Sequence, residues 1–117
     1  MLSHRLDHGV LVLTVQEDPG IGGRAELAAE IVAFVQAHRP APVLVVIEEP
    51  AATPATASAV LRAHRQCGTW GVLMSAATHS APVRRLLEAS AADSGGARLV
   101  VHPRVDIAIS AAYGAAA

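Results

Sequence analysis

The chain is poor in aromatic residues and carries almost no net charge. Its Phe, Trp and Tyr residues number three, Phe34, Trp70 and Tyr113, too few to build a base-stacking platform for nucleic acid. Nine basic and ten acidic residues give a net charge of −1, which supplies no electrostatic footprint for nucleic acid or anionic lipid. The composition therefore favours proteins or small molecules as partners, and neither nucleic acid nor a membrane surface.

Long apolar runs are also missing, although 52% of the 117 residues are hydrophobic. No stretch approaches the roughly 18 apolar residues of a transmembrane helix, and charged residues interrupt the first segment, MLSHRLDHGV, which is atypical of a signal peptide. We therefore expect a cytoplasmic globular protein.

Because Cys67 is the single cysteine, an internal disulfide is excluded. Its place before Gly68 favours a small packing residue over a reactive thiol.

The apolar pattern predicts one α/β domain over residues 1–113, followed by a frayed tail at 114–117. Strands are predicted at 2–6, 9–16, 43–47, 71–75 and 97–102, and helices at 24–38, 54–66, 81–90 and 103–113. From residue 43 onward strands and helices alternate, which implies right-handed crossovers and parallel pairing. We expect a mixed sheet of about five mostly parallel strands with about four helices.

Several residues indicate which strands pair, where the helices begin and which helix face is buried. The unbroken apolar run VLVVI at 43–47 is typical of a central strand covered on both faces, and the turn at residues 7–9 predicts a hairpin between the first two strands. Ser80 is expected to cap the third helix, and Pro103 suits the first position of the fourth. The inward face of the third helix is predicted to carry Val83, Leu86 and Leu87.

The turn TPAT, residues 53–56, precedes the second predicted helix. Thr53 suits the N-cap and Pro54 the first helical position, so the turn has a structural explanation. A turn between the carboxyl end of a strand and the amino end of a helix is also where an α/β protein places an anion or a reactive hydroxyl. The methyl side chain of Ala55 can neither donate nor accept a hydrogen bond. The hydroxyls of Thr53 and Thr56 are therefore the remaining candidates.

The segment GIGGRA, residues 20–25, matches the G-x-G-x-x-A pattern of dinucleotide-binding turns. Gly20, Gly22 and Ala25 hold the three motif positions, and Glu48 ends the next strand, where a ribose-binding acid would stand. However, residues 17–19 separate the glycines from the preceding strand, whereas the motif needs them directly after it. A small nucleotide-binding module is therefore an alternative and not the leading interpretation.

No constellation of residues predicts catalysis, a metal or another cofactor. The six histidines stand on different predicted elements without metal-ligand spacing, at positions 4, 8, 38, 64, 79 and 102. No G-x-S-x-G elbow surrounds Ser75 or Ser80. Glu48 and Glu49 are adjacent on an extended segment, so their side chains are expected to point apart. We expect a protein that is not an enzyme.

Three segments together resemble a STAS domain, the family of bacterial anti-sigma factor antagonists and of cytoplasmic domains of sulfate transporters. GVLVLTVQEDPGIGGRAEL is similar to the family's second strand, acidic loop and first helix. SAVLRAHRQCGTWGVLMSAATHSAPVRRLLEAS is similar to its second helix, fourth strand and third helix, and VHPRVDIAIS to its closing strand and helix. The resemblance covers residues 9–112 and implies a STAS-like fold and a regulatory, protein-binding role in signalling and transcription.

The resemblance also implies a partner-binding site and the loss of its switch. Antagonists typically carry Asp-Ser-Ser-Gly where this chain has residues 53–56, so the serine that a partner kinase phosphorylates is matched by Ala55. Phosphorylation at the usual position is therefore expected to be lost, with Thr53 or Thr56 as the remaining candidates. The partner-binding residues implied are Asp18, Gly20, Glu48, Glu49, Thr53, Pro54, Ala55 and Thr56.

Two kinds of partner follow from this resemblance. The first is an anti-sigma factor of the histidine-kinase-like ATPase class. The second is another STAS protein, or a second copy of the chain in a homodimer, which would make the chain a scaffold subunit of a signalling assembly.

Overall fold

A computed structural model describes residues 2–93 and 99–116, with side chains for residues 2–89 and 99–112. Within this part of the chain the strands are β1 (Leu2–Asp7), β2 (Val10–Val15), β3 (Val43–Ile47), β4 (Met74–Ala77) and β5 (Val100–His102). The helices are α1 (Arg24–His38), α2 (Pro54–Gly68), α3 (Ala81–Asp93) and α4 (Val105–Ala116). The predicted α/β class, with a five-stranded mixed sheet and four helices, is confirmed.

The strands lie in the sheet in their chain order, β1-β2-β3-β4-β5. β1 pairs antiparallel with β2, and every later pair is parallel. β3 is therefore the middle strand, as its unbroken apolar sequence predicts. Because β2 to β5 are parallel, their carboxyl ends meet at one edge of the sheet, which we call the carboxyl edge.

Helices cover both faces of the sheet and divide the core into two layers. The larger layer packs α1, α2 and α3 against one face, and it includes Leu13, Ile31, Val45 and Leu87. The smaller layer packs α4 against the opposite face, around Leu44 and other buried residues of β2 and β4. This double coverage explains why β2 and β3 are almost wholly buried and lack the alternation of a half-exposed strand.

The predicted hairpin between β1 and β2 turns at His8 and Gly9. Both have positive φ angles, 51° for His8 and 79° for Gly9. Two successive residues of this kind are typical of a type I′ turn, whose twist matches that of the flanking strands. The local sequence thus sets the register in which Leu2 pairs with Val15 and Asp7 with Val10.

The fourth strand begins later than the sequence predicts. The predicted strand at 71–75 is wrong at both ends, since β4 spans Met74–Ala77. Helix α2 continues to Gly68, and Gly71, with φ of 70°, turns the chain before the strand starts. The amide of Val72 still donates to the Cys67 carbonyl at 3.4 Å, and the first bond to the sheet is made by the Leu73 carbonyl, which accepts the Val43 amide at 2.9 Å.

The structure also differs from expectation at one residue of α3 and at both ends of α4. Leu86 is 41% exposed, whereas Val83 and Leu87 are buried as expected. Pro103 lies outside α4, which begins at Val105 and continues to Ala116, so residues 114–116 are helical. Residues 97–98 of the predicted fifth strand, and residue 117 of the predicted tail, lie outside the described residues.

Candidate functional site

The loops after β2 and β3 lie side by side at the carboxyl edge because these strands are parallel neighbours. The loop after β2 carries Asp18 and Gly20, and the loop after β3 carries Glu48 and Thr53. The backbone joins the two loops at their base, where the Glu48 amide donates to the Val15 carbonyl at 3.1 Å. The fold therefore brings these residues, which the resemblance implies for partner binding, to one edge of the sheet.

A hydrogen bond between side chains joins the same two loops further out. The Thr53 hydroxyl donates to Asp18 Oδ1 at 2.9 Å, and Thr53 Oγ1 accepts the Thr56 amide at 3.3 Å. Asp18 Oδ1 also accepts the Gly20 amide at 3.0 Å. Thr53 is therefore the N-cap of α2, as predicted, and it also fixes α2 to the loop after β2.

The glycine-rich part of the loop after β2 forms a short 3-10 turn over Ile21–Gly23. The Gly23 amide donates to the Gly20 carbonyl at 3.3 Å, and Arg24 Nε donates to the Ile21 carbonyl at 3.1 Å. These bonds hold Ile21 on the outside of the turn, where it is 79% exposed. Sequence reasoning missed Ile21, although a lone branched apolar residue among glycines was a visible signal.

The loop after β3 presents acidic and apolar groups to solvent. Glu49–Ala51 form another 3-10 turn, and the side chains of Glu48, Glu49 and Pro50 are exposed. Glu17 and Asp18 are exposed on the adjoining loop. These two loops therefore present four exposed carboxylates beside the Arg24 guanidinium, and Ile21 is their most exposed large apolar side chain among the described residues.

The residues of the TPAT turn differ in accessibility. Pro54 is exposed, Ala55 is partly exposed and Thr56 is fully buried. A kinase could reach the Thr56 hydroxyl only if the first turn of α2 opened. Thr53 is partly exposed. Phosphorylation of its hydroxyl would abolish the hydrogen bond that it donates to Asp18 and would place the phosphate beside the Asp18 carboxylate.

The surroundings of Gly20 and Gly22 differ from those of a dinucleotide-binding turn. β2 ends at Val15 and α1 begins only at Arg24, so the glycines do not join strand directly to helix as that motif requires. The Gly20 amide already donates to a carboxylate, that of Asp18. A phosphate would have to displace this carboxylate and would meet its negative charge.

The buried titratable groups do not form a reactive centre with the carboxyl edge. Burial, and secondarily the charge of Arg65, lowers the pKa of His64, which is 7% exposed on α2. Burial raises the pKa of the Cys67 thiol to about 11, so the thiolate needed for nucleophilic chemistry is scarce at neutral pH. Within the described residues, no three or more His, Cys, Asp or Glu side chains are grouped as a metal site.

The fold and these loops define a class: an α/β domain that presents a pair of acidic loops, joined by a hydrogen bond, at the carboxyl ends of its parallel strands. Comparison with known proteins found no matching family model, no matching curated protein and no matching solved structure. Among the described residues, no helix has both the length and the apolar character needed to cross a lipid bilayer.

Proposed function

We propose that the chain is a non-catalytic, cytoplasmic protein-binding domain of the STAS type, which acts like an anti-sigma factor antagonist without the usual phosphorylation switch. Its docking surface is the carboxyl edge formed by the loop after β2, the loop after β3 and the first turn of α2. The proposed partner is an anti-sigma factor of the histidine-kinase-like ATPase class, which binds this surface through basic groups.

The observation that carries this proposal is the hydrogen bond from Thr53 to Asp18. It joins two loops and a helix start into one surface, which reduces the conformational freedom that is lost when a partner binds. Loops with exposed acidic groups suit charge-complementary recognition, which steers encounter and sets specificity. Ile21, 79% exposed on the same loop pair, supplies apolar area that a partner could bury.

The missing switch follows from the position of Ala55. It stands at the second helical position of α2 and is partly exposed, so a phosphate on a serine there would face the partner. Such a phosphate would add a charge of about −1.5 to −2 to a surface that already carries carboxylates. It would weaken the complex through repulsion between like charges and through the cost of desolvating the phosphate. With alanine at this position the complex lacks that means of release.

The test is affinity capture from the native host with the tagged chain, its Ala55→Glu variant and an Ala89→Glu control. Ala89 is exposed on α3, near the opposite end of the sheet from the carboxyl edge. Glutamate at position 55 lies at a helix N-terminus, where a negative charge is favourable, so the fold is expected to be retained. We expect the wild type and Ala89→Glu to recover a kinase-like anti-sigma factor in near-equal amount, and Ala55→Glu to recover little.

A second variant tests the switch itself. Ala55→Ser places a hydroxyl at the position of the usual phosphoacceptor. The purified partner with ATP should phosphorylate this serine and then release the phosphorylated domain. Equal capture by the wild type and Ala55→Glu would remove this turn from the interface. Recovery of other STAS proteins, or of the chain alone, would contradict the anti-sigma partner and favour a scaffold subunit.

A further inference from the structure

Two histidines from distant parts of the chain lie together at the outer edge of the sheet, away from the proposed docking surface. His4 lies on the edge strand β1, and His38 is the last residue of α1. Their ring centroids are 6.1 Å apart. Two imidazoles that bind one ion at about 2.1 Å per nitrogen and at a tetrahedral angle have centroids about 5.3 Å apart, so the two rings share an ion if the exposed ring of His4 moves about 1 Å toward His38.

The ring of His38 is held in a tautomer that suits a metal ligand. His38 Nδ1 lies 2.8 Å from the Phe34 carbonyl oxygen. Because a carbonyl oxygen only accepts, Nδ1 carries the proton and the lone pair lies on Nε2. A histidine that donates its other nitrogen to a backbone carbonyl is the usual arrangement around protein-bound metals, since this bond orients the ring and raises its basicity.

The ring of His4 is positioned by an aromatic neighbour. Its centroid lies 4.4 Å from that of Phe34, with an angle of 37° between the planes. Phe34 thus contacts His4 through its ring and His38 through its backbone, so one residue positions both imidazoles. His4 is exposed and His38 partly exposed, which leaves room for water molecules to complete a coordination shell.

The nearest arginines in the sequence have other partners. The Arg39 guanidinium lies 4.9 Å above the Trp70 ring, and Arg5 is paired with Asp7. Imidazole nitrogens are ligands that suit nickel, copper and zinc and not the oxygen-seeking calcium or magnesium.

We propose that His4 and His38 chelate one divalent transition-metal ion of the nickel, copper or zinc class, with water in the remaining positions. The ion links the edge strand β1 to the end of α1. With two protein ligands the site is open and exchangeable. This proposal is independent of the docking surface, because neither histidine belongs to the carboxyl edge.

The test is titration of the untagged chain with Ni²⁺ at pH 7.5, followed by calorimetry, with His4→Gln, His38→Gln and a His79→Gln control. His79 is exposed at the opposite end of the sheet, next to Ser80. We expect one saturable site in the wild type and in His79→Gln. Either substitution in the pair should weaken the affinity by at least about tenfold, and the double variant should bind no more tightly than the weaker of the two single variants.

Thermal unfolding with and without Ni²⁺ gives a second readout, because an ion that binds the folded state raises Tm. This rise should be present in His79→Gln and absent in both variants of the pair. Binding that needs His4 but not His38 would indicate a chelate within the N-terminal segment and would overturn the proposal. Absence of saturable binding below about 1 mM Ni²⁺ would overturn it as well.

Discussion

The hydroxyl of Thr53 serves two neighbours at once, donating to Asp18 Oδ1 at 2.9 Å and accepting the Thr56 amide at 3.3 Å. Capping the helix and joining the two loops are therefore tasks of a single oxygen atom. A change at Thr53 must affect both, whereas a change at Asp18 leaves the cap in place. The two contributions can be separated by substitution.

Thr53→Ala should lower the free energy of unfolding by about 1 kcal/mol, since it removes an N-cap, and Thr53→Ser should retain most of that stability. Asp18→Ala should cost less, because its bonds are exposed to solvent. In a double-mutant cycle measured by urea unfolding, we expect a coupling of about 0.5–1 kcal/mol between the two sites. A coupling of zero would show that the bond between the loops does not persist in solution.

Gly9→Ala should destabilise the hairpin, and Gly22→Ala should not. Neither glycine has a heavy atom within 4 Å of an added Cβ, but Gly9 has φ of 79°. A Cβ in that left-handed conformation costs about 1–2 kcal/mol. Urea unfolding of the two variants separates this backbone effect from packing, and equal stabilities would argue against the type I′ turn.

The burial of His64 should make the protein less stable as the pH falls. The pKa of His64 in the folded state is lowered from 6.5 by burial and secondarily by Arg65, so below pH 6.5 the unfolded chain binds the proton more readily. This contribution to the free energy of unfolding is complete above pH 6.5 and is lost as the pH falls through the folded-state pKa, with a slope of at most about 1.4 kcal/mol per pH unit.

The control for this pH effect is His64→Leu, which removes the titrating group. Urea unfolding between pH 7.5 and pH 5 should show a steeper loss in the wild type than in the variant. The pKa of Asp7 is lowered from 3.8 by hydrogen bonds with Arg5 and His8, and that of Asp106 is lowered, against opposing desolvation, by its bonds with Arg104, so their effects lie below this range. Parallel curves would mean that His64 is protonated without cost in the folded protein.

Cys67 should react slowly with thiol reagents in the native protein. Burial raises the pKa of its thiol from 9.0 to about 11, which lowers the thiolate population at pH 8 by about 100-fold. Alkylation followed by mass spectrometry should therefore be slow in buffer and fast in concentrated urea. Equal rates would contradict the burial of this side chain.

The sequence was most informative where local chemistry decides the structure. The unbroken apolar residues at 43–47 identify a strand buried on both faces, and Ser80 Oγ accepts the Val83 amide at 3.3 Å as the predicted cap of α3. It was least informative where tertiary geometry decides. The apolar residues 71–73 suit a strand by composition, but Gly71 and the extended α2 delay the strand to Met74.

The site shows the same division. Asp18 and Thr53 could each be chosen from the sequence as candidate residues. That they form a hydrogen bond depends on β2 and β3 being parallel neighbours and on the conformation of both loops, which no local pattern encodes. The exposure of Leu86 and Ile21 likewise depends on what the fold leaves uncovered, so their apolar character alone could not place them.

The sheet order, in which each strand lies beside its predecessor in the chain, also bears on how the domain is built. No strand has to be inserted between two that are already paired, so each crossover can close as soon as its strand and helix have been synthesised. Closing only the crossover between consecutive strands costs less entropy than pairing strands that lie further apart in the chain. The sheet can therefore grow in one direction, from the hairpin outward, in the order in which a ribosome delivers the chain.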